Sequence, residues 1–398
     1  MDFKFDPKAE EFRKEIRRFV KEELPPDHIG LRFADEHFDA LWKLSMETAR
    51  KLAKKGWLAI SWPKEYGGMG ASFWEQVLFR EEVGYWGIPG TEMGIGGTAW
   101  VGPTLMLVGT DAQKKKYLPP IAAGDEDGVW CTGYSEPDAG SDLASLQTHA
   151  RRTGDEYIIN GQKVWTSAGH RARWCWLACR TDLNTENKHQ GIILIMVDMQ
   201  SDGITVRPIP NIVGFNVFNE IFFKDVRVPA ENLVGSENEG WGVLMTALSF
   251  ERTLGLGYSG ALRRVLDELV LYAKAQGLMD RAEIRHQLAE LAVEIHALRL
   301  NSYETAWKQS IGKNVIYEPS RDKICATENM ERIGRVGSEM LGAYAQIDPQ
   351  HENGRNSRVG AAVRNVFWCA SGMNSGGGTT ETMRNIIARF GLHLPKVQ

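Results

Sequence analysis

Five short apolar segments follow one another between residues 157 and 229 with no helical pattern between them, and this excludes most folds open to a chain of 398 residues. They read YIINGQKVWT, RWCWLACR, GIILIMVDM, GITVRPIP and NEIFFKDVRVP. Each is rich in β-branched or aromatic residues and is bounded by polar turns, which is the pattern of strands. A parallel sheet needs a crossover of a dozen or more residues between successive strands, usually a helix, and none is present. An antiparallel β unit is expected, with a hairpin around Asn160-Gly161, a dipeptide suited to a type I′ turn.

Both flanks have the other period. Phe12, Ile16, Phe19 and Val20 recur at helical spacing near the start, and WEQVLFREEVGYW repeats the pattern after a loop rich in glycine and proline. Beyond Trp241 the chain turns helical again, in LRRVLDELVLYAKA and HQLAELAVEIHALRL among others. The order along the chain is helices, strands, helices. At this length more than one packed unit is expected.

A net charge of -4 and a pI near 6.2 give no general attraction to nucleic acid or to anionic lipid. The first 24 residues are charged and amphipathic with no apolar signal core, and no apolar run is long enough to span a bilayer. Cys131, Cys175, Cys179, Cys325 and Cys369 are odd in number, as expected of reduced thiols in a cytoplasmic protein. Cys175 and Cys179 lack the second ligand pair that a zinc site requires, so no metal is expected and buried structural thiols are the reading.

Gly255-Leu256-Gly257-Tyr258-Ser259-Gly260 fits the dinucleotide string GxGxxG. That motif works only between a strand and a helix, and here helix-like sequence lies on both sides, so close helix packing is the better account. The stretch 132–142, TGYSEPDAGSD, gathers hydroxyls and glycines that can aim N–H and O–H donors at a planar ring or a phosphate. On composition alone, an ordinary turn-rich approach to a sheet is the slightly stronger reading. Trp165-Thr166-Ser167 sets an aromatic plane beside two hydroxyls, as a heterocycle site or a β core would both require. Glu251-Arg252 places a carboxylate among apolar neighbours, where desolvation raises basicity; a surface ion pair has the same spacing.

Taken together, GWLAISWPKEYGGMG, GTDAQKKKYLPPIAAG, YSEPDAGSDLASL, YIINGQKVWTSAG, VPAENLVGSENEGW and GGGTTETMRNIIARFGL resemble the acyl-CoA dehydrogenase family, in its order and over nearly the whole chain. The resemblance implies an α+β multidomain fold: an N-terminal helical domain (1–128), a middle antiparallel β-barrel-like domain (129–236) and a C-terminal four-helix bundle (237–398). It implies FAD, an acyl-CoA substrate, electron-transfer flavoprotein as acceptor and a homo-oligomer, most simply a tetramer. Carried over by residue, Tyr134 and Ser135 contact the isoalloxazine, Trp165 flanks it and Ser167 bonds near N5. Ser141 lies near the coenzyme A and pyrophosphate moieties, and Thr379 and Glu381 near the FAD diphosphate. Arg252 belongs to the acyl-CoA site and Trp100 to the region lining the acyl pocket.

Two departures from the family pattern sharpen the reading. Medium- and short-chain members carry their catalytic carboxylate in a Tyr-Glu-Gly-Thr string, where this chain has Gly376-Gly377-Gly378-Thr379. Isovaleryl- and long-chain-type members place it directly before an arginine on a bundle helix, so the resemblance assigns the α-proton base to Glu251. Only the backbone N–H of Gly377 is then needed to stabilise the enolate as the β hydride passes to flavin N5. The two glycines also vacate volume and favour a branched, cyclic or otherwise bulky acyl group. The second departure is Gln276, where many members have an arginine that reaches the FAD pyrophosphate of a neighbouring subunit. Lys274, Arg281 or Arg285 can take that role in a homomer, or a homologous second subunit can supply it in a heteromer. An oxidase passing electrons to oxygen and a non-catalytic subunit are the rival readings.

Overall fold

The computed structural model describes residues 7–25, 28, 39–91, 95–183, 185–212, 217–250, 254–346 and 355–395. Among the described residues the first α-helices are α1 (Pro7–Glu23), α2 (Asp39–Ala53), α3 (Phe73–Trp86), α4 (Gly102–Val108) and α5 (Asp111–Ala123). The strands follow as β1 (Trp130–Gly133), β2 (His149–Thr153), β3 (Glu156–Ser167), β4 (Trp174–Arg180), β5 (Ile192–Asp198), β6 (Ile204–Pro208), β7 (Phe218–Pro229) and β8 (Leu233–Val234). Then come α6 (Gly240–Ser249), α7 (Leu254–Ala275), α8 (Ala282–Ser310), α9 (Glu318–Leu341), α10 (Arg355–Ser375) and α11 (Thr380–Ile386). They form two compact units, one of residues 1–34, 72–88 and 252–398, the other of residues 35–71 and 89–251.

In the first unit α7 to α10 share one core. Leu262, Leu266 and Leu269 meet Leu288, Leu291 and Ile295 from α8, Met330 and Ile333 from α9, and Val363 and Val366 from α10. The spacing on α7 is the three-and-four repeat that makes one apolar stripe. Helix α3 begins at a capping box between Ser72 and Glu75 and beds on α7. The contact is glycine on glycine: a β-carbon on Gly84 would strike the Gly257 carbonyl, and one on Gly260 would lie 2.8 Å from the Tyr85 nitrogen. Close helix packing, not a nucleotide turn, therefore explains Gly260 of the GxGxxG string; at Gly257 only the carbonyl is approached, and a β-carbon there would meet only the Arg80 carbonyl at 3.9 Å. Glu82, almost fully buried, accepts from Arg17 of α1 at 2.8 Å and from Trp86 at 2.8 Å, fixing α1 to the same helix.

The second unit is built on the sheet, whose strands run in the order β6-β7-β3-β2-β4-β5-β8 with β1 also paired to β4. The barrel-like, wholly antiparallel expectation is corrected in both respects. The sheet is open, ending on β6, which closes with Pro208, and on the two-residue β8; short and proline-bearing edges resist further pairing. The strand β1 and the first residue of β2 lie in turn along one edge of β4, both parallel to it, because the chain leaves that edge after Gly133 and returns at His149. Apolar cores cover both faces: Trp176, Leu194 and Met196 point to α4, α5 and α6, while Cys175, Leu177 and Ile195 face Tyr157, Ile221 and Val226. Two-sided burial explains why RWCWLACR and GIILIMVDM do not alternate.

The hairpin expected at Asn160-Gly161 is also corrected. β3 runs straight through that dipeptide, and the tight turn lies at Gly154 (φ +61°), between β2 and β3. Asn160-Gly161 forms an irregularity against β7 instead. There Asn160 exchanges hydrogen bonds with Asp225 at 3.1 and 2.9 Å, and a β-carbon on Gly161 would meet Thr148. Cys131, Cys175 and Cys179 are buried free thiols, and burial pushes Cys179 up to about 12. Among the described residues no helix is long and apolar enough to cross a membrane.

Candidate functional site

In the sheet unit the candidate residues gather around the far end of β3. Inward positions on this strand alternate through Tyr157, Ile159 and Lys163, and a simple continuation would send Trp165 into the core. A second irregularity against β7, between Lys163 and Thr166, breaks the alternation. Trp165 takes φ +60°, uncommon for a residue with a bulky side chain, and Ala168 takes φ +56°. Trp165 is consequently 60% exposed, its ring resting edge-on against Phe218 with centroids 6.1 Å apart. Ser167 is exposed beside it, while Thr166 turns inward. Buried Asn219 on β7 pins this turn, donating to the Thr166 carbonyl at 3.1 Å and facing His170 Nδ1 at 3.2 Å.

The segment 134–148 is held against the same end of β3. Lys163 is fully buried; its Nζ donates to the Tyr134 carbonyl at 2.9 Å and to Glu136 Oε1 at 2.7 Å. The Glu136 carboxylate also accepts from the backbone N–H groups of Gln147 (2.6 Å) and Thr148 (2.9 Å). Burial pushes the Glu136 carboxyl up, but the Lys163 charge and these donors outweigh it and leave it below its ordinary value. Burial lowers Lys163 against the opposing pull of Glu136. With three donors on the carboxylate and two acceptors on the ammonium, the geometry suits the ionised pair. The Ser135 carbonyl accepts from Val164 N–H at 2.9 Å. Trp100 packs on Tyr134 with ring centroids 6.4 Å apart. Ser141 is exposed next to Asp142, which bonds Lys188 at 2.6 Å.

Trp100, Tyr134, Ser135, Trp165 and Ser167 are thus joined by one framework. An exposed indole plane held by strained backbone, with hydroxyls at its side, fits a planar heterocycle such as a flavin better than it fits a packed β core. Glu136, Lys163 and Asn219 were not singled out from sequence. The legible signal was Lys163 itself, a lysine at an inward position of an apolar strand.

In the helical unit, α10 ends and the chain turns through Gly377 (φ +65°) and Gly378 (φ +91°), a conformation that favours glycine. A β-carbon on Gly377 would meet nothing within 4 Å, whereas one on Gly378 would strike Met383. Lys323 on α9 donates to the Asn374 carbonyl at 3.1 Å, just before this turn. Thr379 caps α11, accepting from Thr382 N–H at 3.2 Å. Glu381 is exposed in the first turn; its own backbone N–H and then Thr379 hold its carboxyl below the ordinary range. Gln276 and Lys274 are exposed at the end of α7. Arg281 is paired with Glu283 at 2.6 Å and Arg285 donates to the Met279 carbonyl at 2.6 Å. Glu251 and Arg252 lie outside the described residues.

Comparison with known proteins gives a consistent answer along the chain. Residues 6–125, 131–226 and 238–392 match the N-terminal, middle and C-terminal domain models of acyl-CoA dehydrogenases. Acyl-CoA dehydrogenase FadE29 of Mycobacterium tuberculosis is 35% identical over 395 residues, covering 98% of each chain. Acyl-CoA dehydrogenase FadE26 of the same organism is 34% identical over 406 residues, covering 100% of this chain and 99% of that one. Among solved structures, the Tcur3481-Tcur3483 steroid ACAD superposes with a TM-score of 0.88 at 33% identity, covering both chains fully. The ChsE4-ChsE5 complex from Mycobacterium tuberculosis gives 0.86 at 33% identity, also with full coverage.

Proposed function

Because the chain belongs to the acyl-CoA dehydrogenase family, we propose that it binds FAD and converts a bulky acyl-CoA, of the size of a steroid-derived thioester, to the 2-enoyl-CoA. The observation that carries the flavin assignment is Trp165, turned out of the sheet by a strand irregularity and left 60% exposed. In this reading Trp165 flanks the ring, with Tyr134, Ser135 and Ser167 supplying contacts at its edge. Ser141 serves the coenzyme A and pyrophosphate moieties, and Thr379 the diphosphate. Glu381, as a carboxylate, suits the hydroxyl or amino donors of the nucleotide rather than its phosphates.

The α C–H of a thioester is a weak acid, so charge developing on the carbonyl oxygen must be met as the proton leaves. The N–H of Gly377 meets it. Glu251 takes the proton, with Arg252 beside it at the acyl-CoA site. FAD, when bound, accepts the hydride from the β carbon. The acyl group is buried near Trp100, and water is kept from the reacting carbons.

Three points support a bulky acyl group: the open space beside Gly377, the glycine before it, and the similar structure described as a steroid ACAD. Electron-transfer flavoprotein is the proposed acceptor. The two solved structures described above are both named as pairs of proteins, and Arg281 and Arg285 are already engaged near Gln276. These points support a heteromer in which a homologous subunit meets the pyrophosphate; the alternative is a homotetramer. Anaerobic titration with straight, branched, alicyclic and steroid-derived thioesters, following flavin bleaching, tests the whole reading. Bleaching is expected with the bulky thioesters, and an FAD-loaded protein that none of them bleaches would overturn it.

A further inference from the structure

We propose that Lys163 and Glu136 are positioning residues for the flavin face. On this view the buried pair locks the Tyr134–Ser135 backbone to the strand irregularity that presents Trp165 and Ser167. The inference rests on the flavin reading above and goes beyond it in naming what sets the geometry.

Four observations support this. First, Lys163 has 0% exposure, and both acceptors of its Nζ lie in the segment 134–136. Second, Glu136 reaches across that segment and gathers Gln147 and Thr148, so the far end of the loop is fastened to the same ion pair. Third, the next residue on β3 repeats the tie, with Val164 N–H donating to the Ser135 carbonyl at 2.9 Å. Fourth, the strained Trp165 follows at once. A conformation of this kind persists only where its surroundings over-determine it. The lysine therefore stands at the junction of two backbone segments whose side chains face the proposed ring, and it touches neither ring nor substrate.

A residue that served stability alone would act differently from one that sets geometry. Removing one partner of a buried ion pair strands the other charge, whereas removing both leaves no uncompensated charge. The test therefore compares Lys163→Met with the double variant Lys163→Met/Glu136→Gln. The protein is purified with its homologous subunit if the lone chain retains no FAD. Three quantities are read: melting temperature, the Kd for FAD from flavin fluorescence, and hydrogen exchange of the amides in 134–148.

Lys163→Met is expected to melt lower, to weaken FAD at least about tenfold, the worth of one charge-assisted hydrogen bond, and to speed exchange across 134–148. The double variant is expected to regain most of the melting temperature while FAD stays weak and exchange stays fast. If FAD affinity and amide protection instead recover together with melting temperature, the pair is merely structural and the proposal is overturned. Unchanged affinity and protection in Lys163→Met overturn it equally. A wild-type protein that takes up no FAD, alone or with its partner, would mark failure of the flavin reading, whereas the exchange measurement still judges the tie itself.

Discussion

At the residue scale the proposed function rests the proton transfer on a single carboxylate, Glu251. Glu251→Gln preserves shape and removes basicity, so kcat is expected to fall by roughly 10²–10⁴-fold, the usual contribution of a general base, with FAD and acyl-CoA binding retained. Steady-state kinetics on the FAD-loaded variant would sink the assignment if kcat stayed near normal. Glu136 makes a different prediction. Its carboxyl is held below the ordinary value of 4.5. The stability it contributes is therefore fully present above that value and is lost as pH falls through the depressed pKa. Thermal melts from neutral pH to below 4 should show this loss, and Glu136→Gln should flatten that part of the curve. What sequence could and could not reveal divides along the same line. Tyr134, Trp165 and Ser167 stand out in the sequence as an aromatic and hydroxyl set, but their roles at a flavin come from the family resemblance and not from the residue types. The orientation of Trp165 was not legible, because a strand irregularity reverses which face a residue takes, and no residue type at 164 or 165 announces one.

Among the elements, the helix periods were read correctly wherever one face is apolar, as on α1 and α7. The strands β4 and β5 were also recognised, although burial on both faces had erased their alternation. The Asn160-Gly161 turn failed because Asn160 found a partner in Asp225 across the ladder, which favours continuing the strand over folding it back. The parallel pairing of β1 with β4 was hidden because the connection between them is long and contains other strands. Close approach of α3 and α7 yields a stability test. Gly84→Ala would drive its methyl into the Gly257 carbonyl and is expected to cost about 1–3 kcal/mol, as overpacking usually does. Gly242→Ala, on an open face of α6, is expected to be neutral or mildly stabilising. Urea unfolding of the two variants distinguishes a packing requirement from a general aversion to change.

For the whole molecule, the proposed heteromer divides the FAD site between two chains. In the heteromer the chain produced alone should purify with little FAD, and co-production with a homologous subunit should restore about one FAD per complete site. Gln276→Arg should raise retention in the lone chain, because a guanidinium matches phosphate oxygens bidentately and an amide does not. Mass measurement in solution with flavin quantification settles it: a homotetramer carrying one FAD per chain, active without a second polypeptide, rules the heteromer out.

The grouping of α1 and α3 with α7 has a consequence for synthesis on the ribosome. Both helices are made long before α7: the surface on which α3 beds begins at residue 254, roughly 170 residues after α3 is complete. At ~5–20 residues per second that is an interval on the order of ten seconds or more. During it the residues 35–71 and 89–251 can close their own unit while Val77 and Leu78 of α3 wait for a partner. Helices α1 and α3, although made early, should therefore be among the last to become protected. Stalled nascent chains ending near residue 250 should be cut within α3 by protease, and the completed, released chain should not.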